Sequence, residues 1–140
     1  MRQILLFSAL AALLALLSGC ALSKAKEDKA EDMPDKAAYH KLSAEEAYEM
    51  MASQEVVVVD VRTREEYDGG HIENAVLVPN ESIDSEMPEA LPDKEATLLV
   101  YCRSGRRSKD AAEKLLALGY QSVYDFGGVI DWPYELVKEG

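Results

Sequence analysis

Thr97-Leu98-Leu99-Val100-Tyr101-Cys102-Arg103-Ser104-Gly105-Arg106-Arg107-Ser108 is the stretch on which the reading of this chain turns. Thr97 to Val100 is an apolar run of strand length. From Ser108 onward Ala111, Ala112, Leu115 and Leu118 recur at helical spacing, and Gly119 closes the helix. Cys102 therefore stands at the carboxyl end of a strand and just before a helix amino terminus, where open α/β sheets bind ligands. Successive N–H groups in so tight a turn converge into an anion-binding nest, and the helix end adds roughly half a positive charge. The same field favours thiolate over thiol: cysteines so placed have pKa values of about 3.5 to 7.5, against about 8.5 for a free thiol. The alternative, a cysteine packed as a small hydrophobe, does not call for three guanidinium groups beside it, since like charges repel unless an anion or carboxylates relieve them. Cys102 is the candidate nucleophile, and Arg103, Ser104, Gly105, Arg106 and Arg107 are the candidate anion-binding residues.

Outward from this stretch, strands and helices alternate. Ser43-Ala44-Glu45-Glu46 is a capping box that starts a helix through about Ala52, and Thr63-Arg64-Glu65-Glu66 is a second one whose short helix ends near Gly69-Gly70. Val56 to Asp60 reads as a strand buried on both faces, typical of a parallel sheet. Val76 to Val78 is another, stopped by Pro79. Ser85 to Leu91 is expected to form a short helix, Ser122 to Asp125 the last strand, Gly127-Gly128 a turn, and Trp132 with Leu136 a terminal helix. The pattern predicts one α/β domain over residues 39–140, a three-layer arrangement of a mainly parallel sheet with helices on both faces. A monomer is expected.

The amino-terminal segment has a different character. Arg2 precedes an apolar run from Ile4 to Leu17 that is shorter than the roughly 20 residues needed to span a bilayer, so residues 1–19 read as a signal peptide. Leu17-Ser18-Gly19-Cys20 resembles the lipobox of bacterial lipoproteins, which implies a lipidated Cys20, a membrane anchor and an exported, periplasmic domain. Residues 20–38, mostly Ala, Lys, Glu and Asp after Leu22, read as the lipidated cysteine and a solvated tether.

Charge and cysteine count narrow the chemistry. A formal net charge of −11 argues against nucleic acid as a partner, because phosphate binding needs a basic face. Against that background the arginine cluster is local and suits a small anion. Only two cysteines, Cys20 and Cys102, are present, and lipidation of the first would leave no intramolecular disulfide. His40 and His71 have no partner at metal-ligand spacing, so neither metal nor cofactor is expected.

The domain resembles the rhodanese family of single-domain sulfurtransferases. The resemblance rests on Val58-Val59-Asp60-Val61-Arg62, Glu65-Glu66-Tyr67, Gly70-His71-Ile72 with Ala75, Cys102 to Ser108, and Gly127-Gly128 followed by Trp132. It implies that Cys102 takes a sulfane sulfur from a small anionic donor such as thiosulfate, becomes a persulfide, and passes the sulfur to cyanide or a thiol. Arg103 and Arg107 match the family's loop arginines, whereas Arg106 fills a variable position and rests on its charge alone. His71 reads as a turn-fixing residue and Trp132 as core packing. Asp60 and Arg62 are either pocket-rim residues or a structural ion pair. The Gly-x-Pro that often follows the family's tryptophan is absent here, which puts the terminal helix in doubt.

Two rival functions share the fold. Phosphatases and arsenate reductases use a Cys-x5-Arg loop, but the arginine position falls on Ser108 in this chain, with Arg107 one residue early. A tethered module that only carries sulfur or docks a partner is the non-enzymatic reading, against which the intact Cys102 and its arginines stand.

Overall fold

The computed structural model describes residues 37–139. The signal segment, Cys20 and all but the last two residues of the tether lie outside them. Five strands form one parallel sheet: β1 (His40–Lys41), β2 (Val57–Asp60), β3 (Val76–Leu77), β4 (Thr97–Cys102) and β5 (Ser122–Gly128), in the order β1-β5-β4-β2-β3. The helices are α1 (Ala44–Ser53), α2 (Arg64–Asp68) and α3 (Arg106–Ala117). The expected α/β architecture with a parallel sheet is what the chain adopts.

Strand β4 is central and buried on both faces, and its period of two divides the core. Leu98, Val100 and Cys102 join one cluster with Ala111, Ala112 and Leu115 of α3. Leu99 and Tyr101 join the other, with Ala47 of α1 and Tyr67 of α2. Each fully buried Leu or Val contributes about 1.5–3 kcal/mol of transfer free energy, so the cysteine is carried on the best-anchored strand of the sheet. Both capping boxes form as read, Ser43 with Glu46 and Thr63 with Glu66.

Four expectations are corrected. Helix α3 begins at Arg106, two residues before Ser108, because Gly105 takes φ +103° and lets the chain enter the helix directly from the loop. Residues 85–91 form no helix: Ser85, Glu86, Met87, Glu89 and Ala90 are exposed, and Pro88 and Pro92 lack N–H donors. The segment is pinned only by buried Ile83 and Leu91 at its ends, after a 3-10 turn at Asn80–Ser82. Gly127-Gly128 is no turn, because β5 continues through both, with a bulge that pairs Val100 with Asp125 but Cys102 with Gly128. Gly127 absorbs the extra residue at φ +88°. The terminal helix is absent as well. Pro133 holds Trp132 near extended backbone after a 3-10 turn at Val129–Asp131, and Val137 then exchanges two backbone hydrogen bonds of 2.8 Å with His71.

Candidate active site around Cys102

The end of β4, the bulge of β5 and the start of α3 meet at Cys102. Its sulfur accepts the Gly105 N–H at 3.0 Å, and the N–H groups of Ser104 and Ser108 with the Ser108 hydroxyl add to this set. The residue is 1% exposed, so the sulfur lies on the floor of the loop. Burial pushes the thiol pKa up, but the donors of Ser108, Gly105 and Ser104 outweigh it and leave the pKa below its ordinary value. This is the nest that a strand–loop–helix passage offers, closed at the right place to hold a sulfur anion.

The three arginines take different places. Arg107 is half-buried and forms a two-pronged pair with Glu66, Nη1 to Oε2 and Nη2 to Oε1 at 2.9 Å each. This clamps α2 to the start of α3 and still acts electrostatically on Cys102. The pairing holds the Glu66 carboxyl down to about 2. Arg103 and Arg106 are exposed and present their charge to solvent beside the loop. The backbone donors that reach the sulfur come from Ser104, Gly105 and Ser108, so Ser108 joins the cradle expected of Arg103 to Arg107.

Asp60 and Arg62 pair with each other. Arg62 donates Nη2 at 2.6 Å and Nε at 3.0 Å to the Asp60 carboxylate, Tyr101 donates its hydroxyl at 2.6 Å, and Arg62 also reaches the Gly70 carbonyl at 2.7 Å. Asp60 is completely buried, which keeps it from the rim. Arg62, 5% exposed, borders a hollow of about 360 Å³ with Arg103, Glu65, Val129 and Ile130. A larger hollow of about 650 Å³ lies by Tyr48, Ile72, Trp132 and Tyr134, and no residue of the Cys102 loop lines it. His71 is buried, stacked on Tyr67 with ring centroids 3.7 Å apart, and bonded through Nδ1 to the Tyr67 carbonyl at 2.9 Å. Trp132 packs against Phe126, Tyr48 and Tyr134. Among the described residues no group of three or more His, Cys, Asp or Glu is gathered for a metal ion.

Sequence reasoning missed Asp125 and Lys41. Asp125 is fully buried and gathers Tyr39 Oη at 2.7 Å, Lys41 Nζ at 3.1 Å, Ser108 Oγ at 2.7 Å and the Gly127 N–H at 2.8 Å. Nothing local links Lys41 to a residue 84 positions later. Only the pairing of β1 with β5, in which Lys41 stands opposite Asp125, brings them together.

A parallel α/β domain with a thiol held in a backbone nest is the class that fold and site define. Residues 43–133 match the model of the rhodanese-like domain, and the chain belongs to that family. It is 36% identical to a rhodanese from E. coli whose structure was solved with anions, covering 59% of this chain and 98% of that one with a TM-score of 0.54. The human single-domain sulfurtransferase is 26% identical, covering 66% and 93% with a TM-score of 0.60. A rhodanese-like domain protein from Staphylococcus aureus is 31% identical, covering 72% and 99% with a TM-score of 0.62. The tRNA uridine(34) hydroxylase of Yersinia pestis is 32% identical over 106 residues, which are 72% of this chain and 30% of the hydroxylase. This chain thus spans less than a third of the length of such curated relatives.

Proposed function

We propose that this protein is a sulfurtransferase that moves a sulfane sulfur from a small anionic donor such as thiosulfate to a thiol or cyanide through a persulfide on Cys102. The observation that carries the reading is the set of donors from Ser104, Gly105 and Ser108 on the Cys102 sulfur. The thiolate attacks the outer sulfur of thiosulfate. A new S–S bond forms while the old one breaks, and sulfite leaves with the bonding pair. The outer sulfur of the persulfide is then attacked by the acceptor, which takes it as thiocyanate or as a new persulfide and returns Cys102 as thiolate. Thiosulfate is a dianion and its approach to a thiolate is repulsive, so Arg103 and Arg106 at the surface and the α3 terminus offset the charge in both half-reactions.

The phosphatase reading has less support, because Ser108 at the arginine position of Cys-x5-Arg turns inward to Asp125 and brings no charge for a phosphoryl group. The chain's net charge of −11 also speaks against tRNA as a partner, and the hydroxylases carry their activity on chains of which this one spans a fraction. Intact mass after incubation with thiosulfate tests the proposal. The parent should gain one sulfur atom and lose it to cyanide, and Cys102→Ser should gain none while keeping the parent's melting curve. An unmodified parent, or an adduct on Cys102→Ser, would sink it.

The amino-terminal sequence supports a setting for this activity: export, with a lipid on Cys20 holding the domain at the periplasmic face of a membrane. Membrane fractionation is the check, since a Cys20→Ser protein that sediments with membranes as fully as the parent overturns the anchor.

A further inference from the structure

Behind the nest lies a chain of polar contacts that the proposed reaction does not use. The Ser108 hydroxyl donates to Asp125 Oδ1 at 2.7 Å and lies 3.0 Å from the carbonyl of Gly105, the residue whose own N–H reaches the Cys102 sulfur at 3.0 Å. The same hydroxyl helps to lower the Cys102 thiol pKa. A sulfur anion and a buried carboxylate therefore lie on either side of one Ser108–Gly105 unit, and in an interior of low polarity two negative charges that close raise each other's energy. Lys41 is the cation bonded to Asp125. Its ammonium also lies beside the place where Gly105 of the loop passes Gly127 of the bulge: a methyl group added at Gly127 would stand 3.2 Å from Lys41 Nζ, and one at Gly105 3.6 Å from Gly127 Cα and 4.0 Å from Nζ.

We propose that Lys41 is a positioning residue for Cys102, acting through Asp125 and Ser108: it supplies the countercharge that lets a sulfur anion rest next to a buried carboxylate, and it holds the Gly105 and Gly127 backbones together. The inference rests on the Cys102 thiolate of the proposed function. The other charged groups around the sulfur are placed differently. Arg103 and Arg106 are exposed, Arg107 acts on Cys102 electrostatically but is paired with Glu66 and also feels Glu81, and Asp60 is closed on Arg62. Tyr39, on β1 beside Lys41, has its hydroxyl pKa pushed up by burial and by its hydrogen bond to Asp125, so it stays a neutral donor.

The test is the rate of Cys102 alkylation by iodoacetamide across about pH 5 to 10, where the thiolate is the reacting form, on the full chain. It needs no sulfur donor, so it stands or falls separately from the mass experiment above. Lys41→Met is expected to raise the apparent thiol pKa by about half to one unit, slowing alkylation at low pH by about three- to tenfold. Lys41→Arg should restore the parent curve. Asp125→Asn should move the pKa the opposite way, and the Lys41→Met, Asp125→Asn double variant should lie near the parent. Opposite signs that cancel are not what a merely structural role produces. A Lys41→Met curve that overlays the parent's overturns the proposal, as do two single variants shifted in the same direction. If Asp125→Asn does not fold, the Lys41→Met shift and its rescue by arginine decide alone.

Discussion

Strand β4 is flanked by two buried aspartates, Asp60 at the end of β2 and Asp125 in β5, and the two are served in opposite ways. Both are 0% exposed. Asp60 is closed by Arg62, which sits two residues on, is itself buried, and locks the carboxylate with its backbone N–H and two guanidinium nitrogens while Tyr101 donates a further hydrogen bond. Asp125 is answered by a lysine from another strand, half in solvent, and by a hydroxyl that also faces the thiol. A planar guanidinium with fixed forked donors makes a rigid unit, whereas an ammonium on a flexible stem is a movable point charge. The lesson is positional: on one side of β4 the buried charge is a fixed strut for the Gly70 turn, and on the other it is left open to the sulfur it can influence.

Arg62→Met strands Asp60 without its partner and should cost about 3–5 kcal/mol of stability. Lys41→Met should cost less than that, because half of the lysine side chain is already in water and Tyr39, Ser108 and the Gly127 N–H still donate to Asp125. Urea unfolding of the two variants measures both, and equal losses would show that the two aspartates are not served differently.

A smaller effect sharpens the open side. A methyl at Gly128 would collide with the Arg103 carbonyl oxygen and stand 2.6 Å from Ser104 Cα, both backbone atoms with nowhere to go. Gly128→Ala should cost about 1–3 kcal/mol as overpacking and slow persulfide loading by displacing the loop. At Gly69 the added methyl meets only carbonyl oxygens at 3.4 Å and 3.6 Å, so Gly69→Ala should stay within about 0.5 kcal/mol of the parent. Loading rate and melting temperature, read together, test the pair. Loss of stability at Gly128 with unchanged loading would contradict the close packing of loop on bulge.

The smallest effect concerns a third carboxylate of intermediate exposure. The hydrogen bonds from Arg107 are the main cause that holds Glu66 at about 2, against 4.5 for a free group. Because the folded-state value is the lower one, the contribution is fully present above about pH 4.5 and is lost as pH falls through about 2. The pair is partly open to water, with 28% of the Glu66 side chain exposed, so screening reduces its worth to about 1 kcal/mol. Glu66→Gln should be less stable than the parent by that amount at pH 6, with the gap closing below pH 4. A constant gap across the range would mean that the carboxylate charge is not what Arg107 needs.

Much of the fold was legible because it is written in local patterns. The two capping boxes name their own helix starts, the apolar runs of β2 and β4 announce strands buried on both faces, and strand–Cys–Gly–helix fixes where the sulfur must stand. Both missing helices fail at proline. Residues 85–91 place Met87, Ala90 and Leu91 at helical spacing, but Pro88 and Pro92 lack N–H donors, and Pro133 separates Trp132 from Leu136 at the carboxyl end. The split among the arginines was not legible: that Arg107 pairs with Glu66 follows from the packing of α2 on the start of α3, and Asp60 is already taken by Arg62.

Local pattern carried the alternation of strands and helices from which an α/β sheet follows, the thiol at the mouth of a helix and the concentration of positive charge beside it, because each element is read from residues within a dozen positions of one another. Only the tertiary structure decided which donors reach the sulfur, that β5 bulges to bring Asp125 behind Ser108, and that Lys41 from the edge strand answers that charge. Those contacts join residues 17 and 84 positions apart. They arise from strand order and register, which no local pattern encodes.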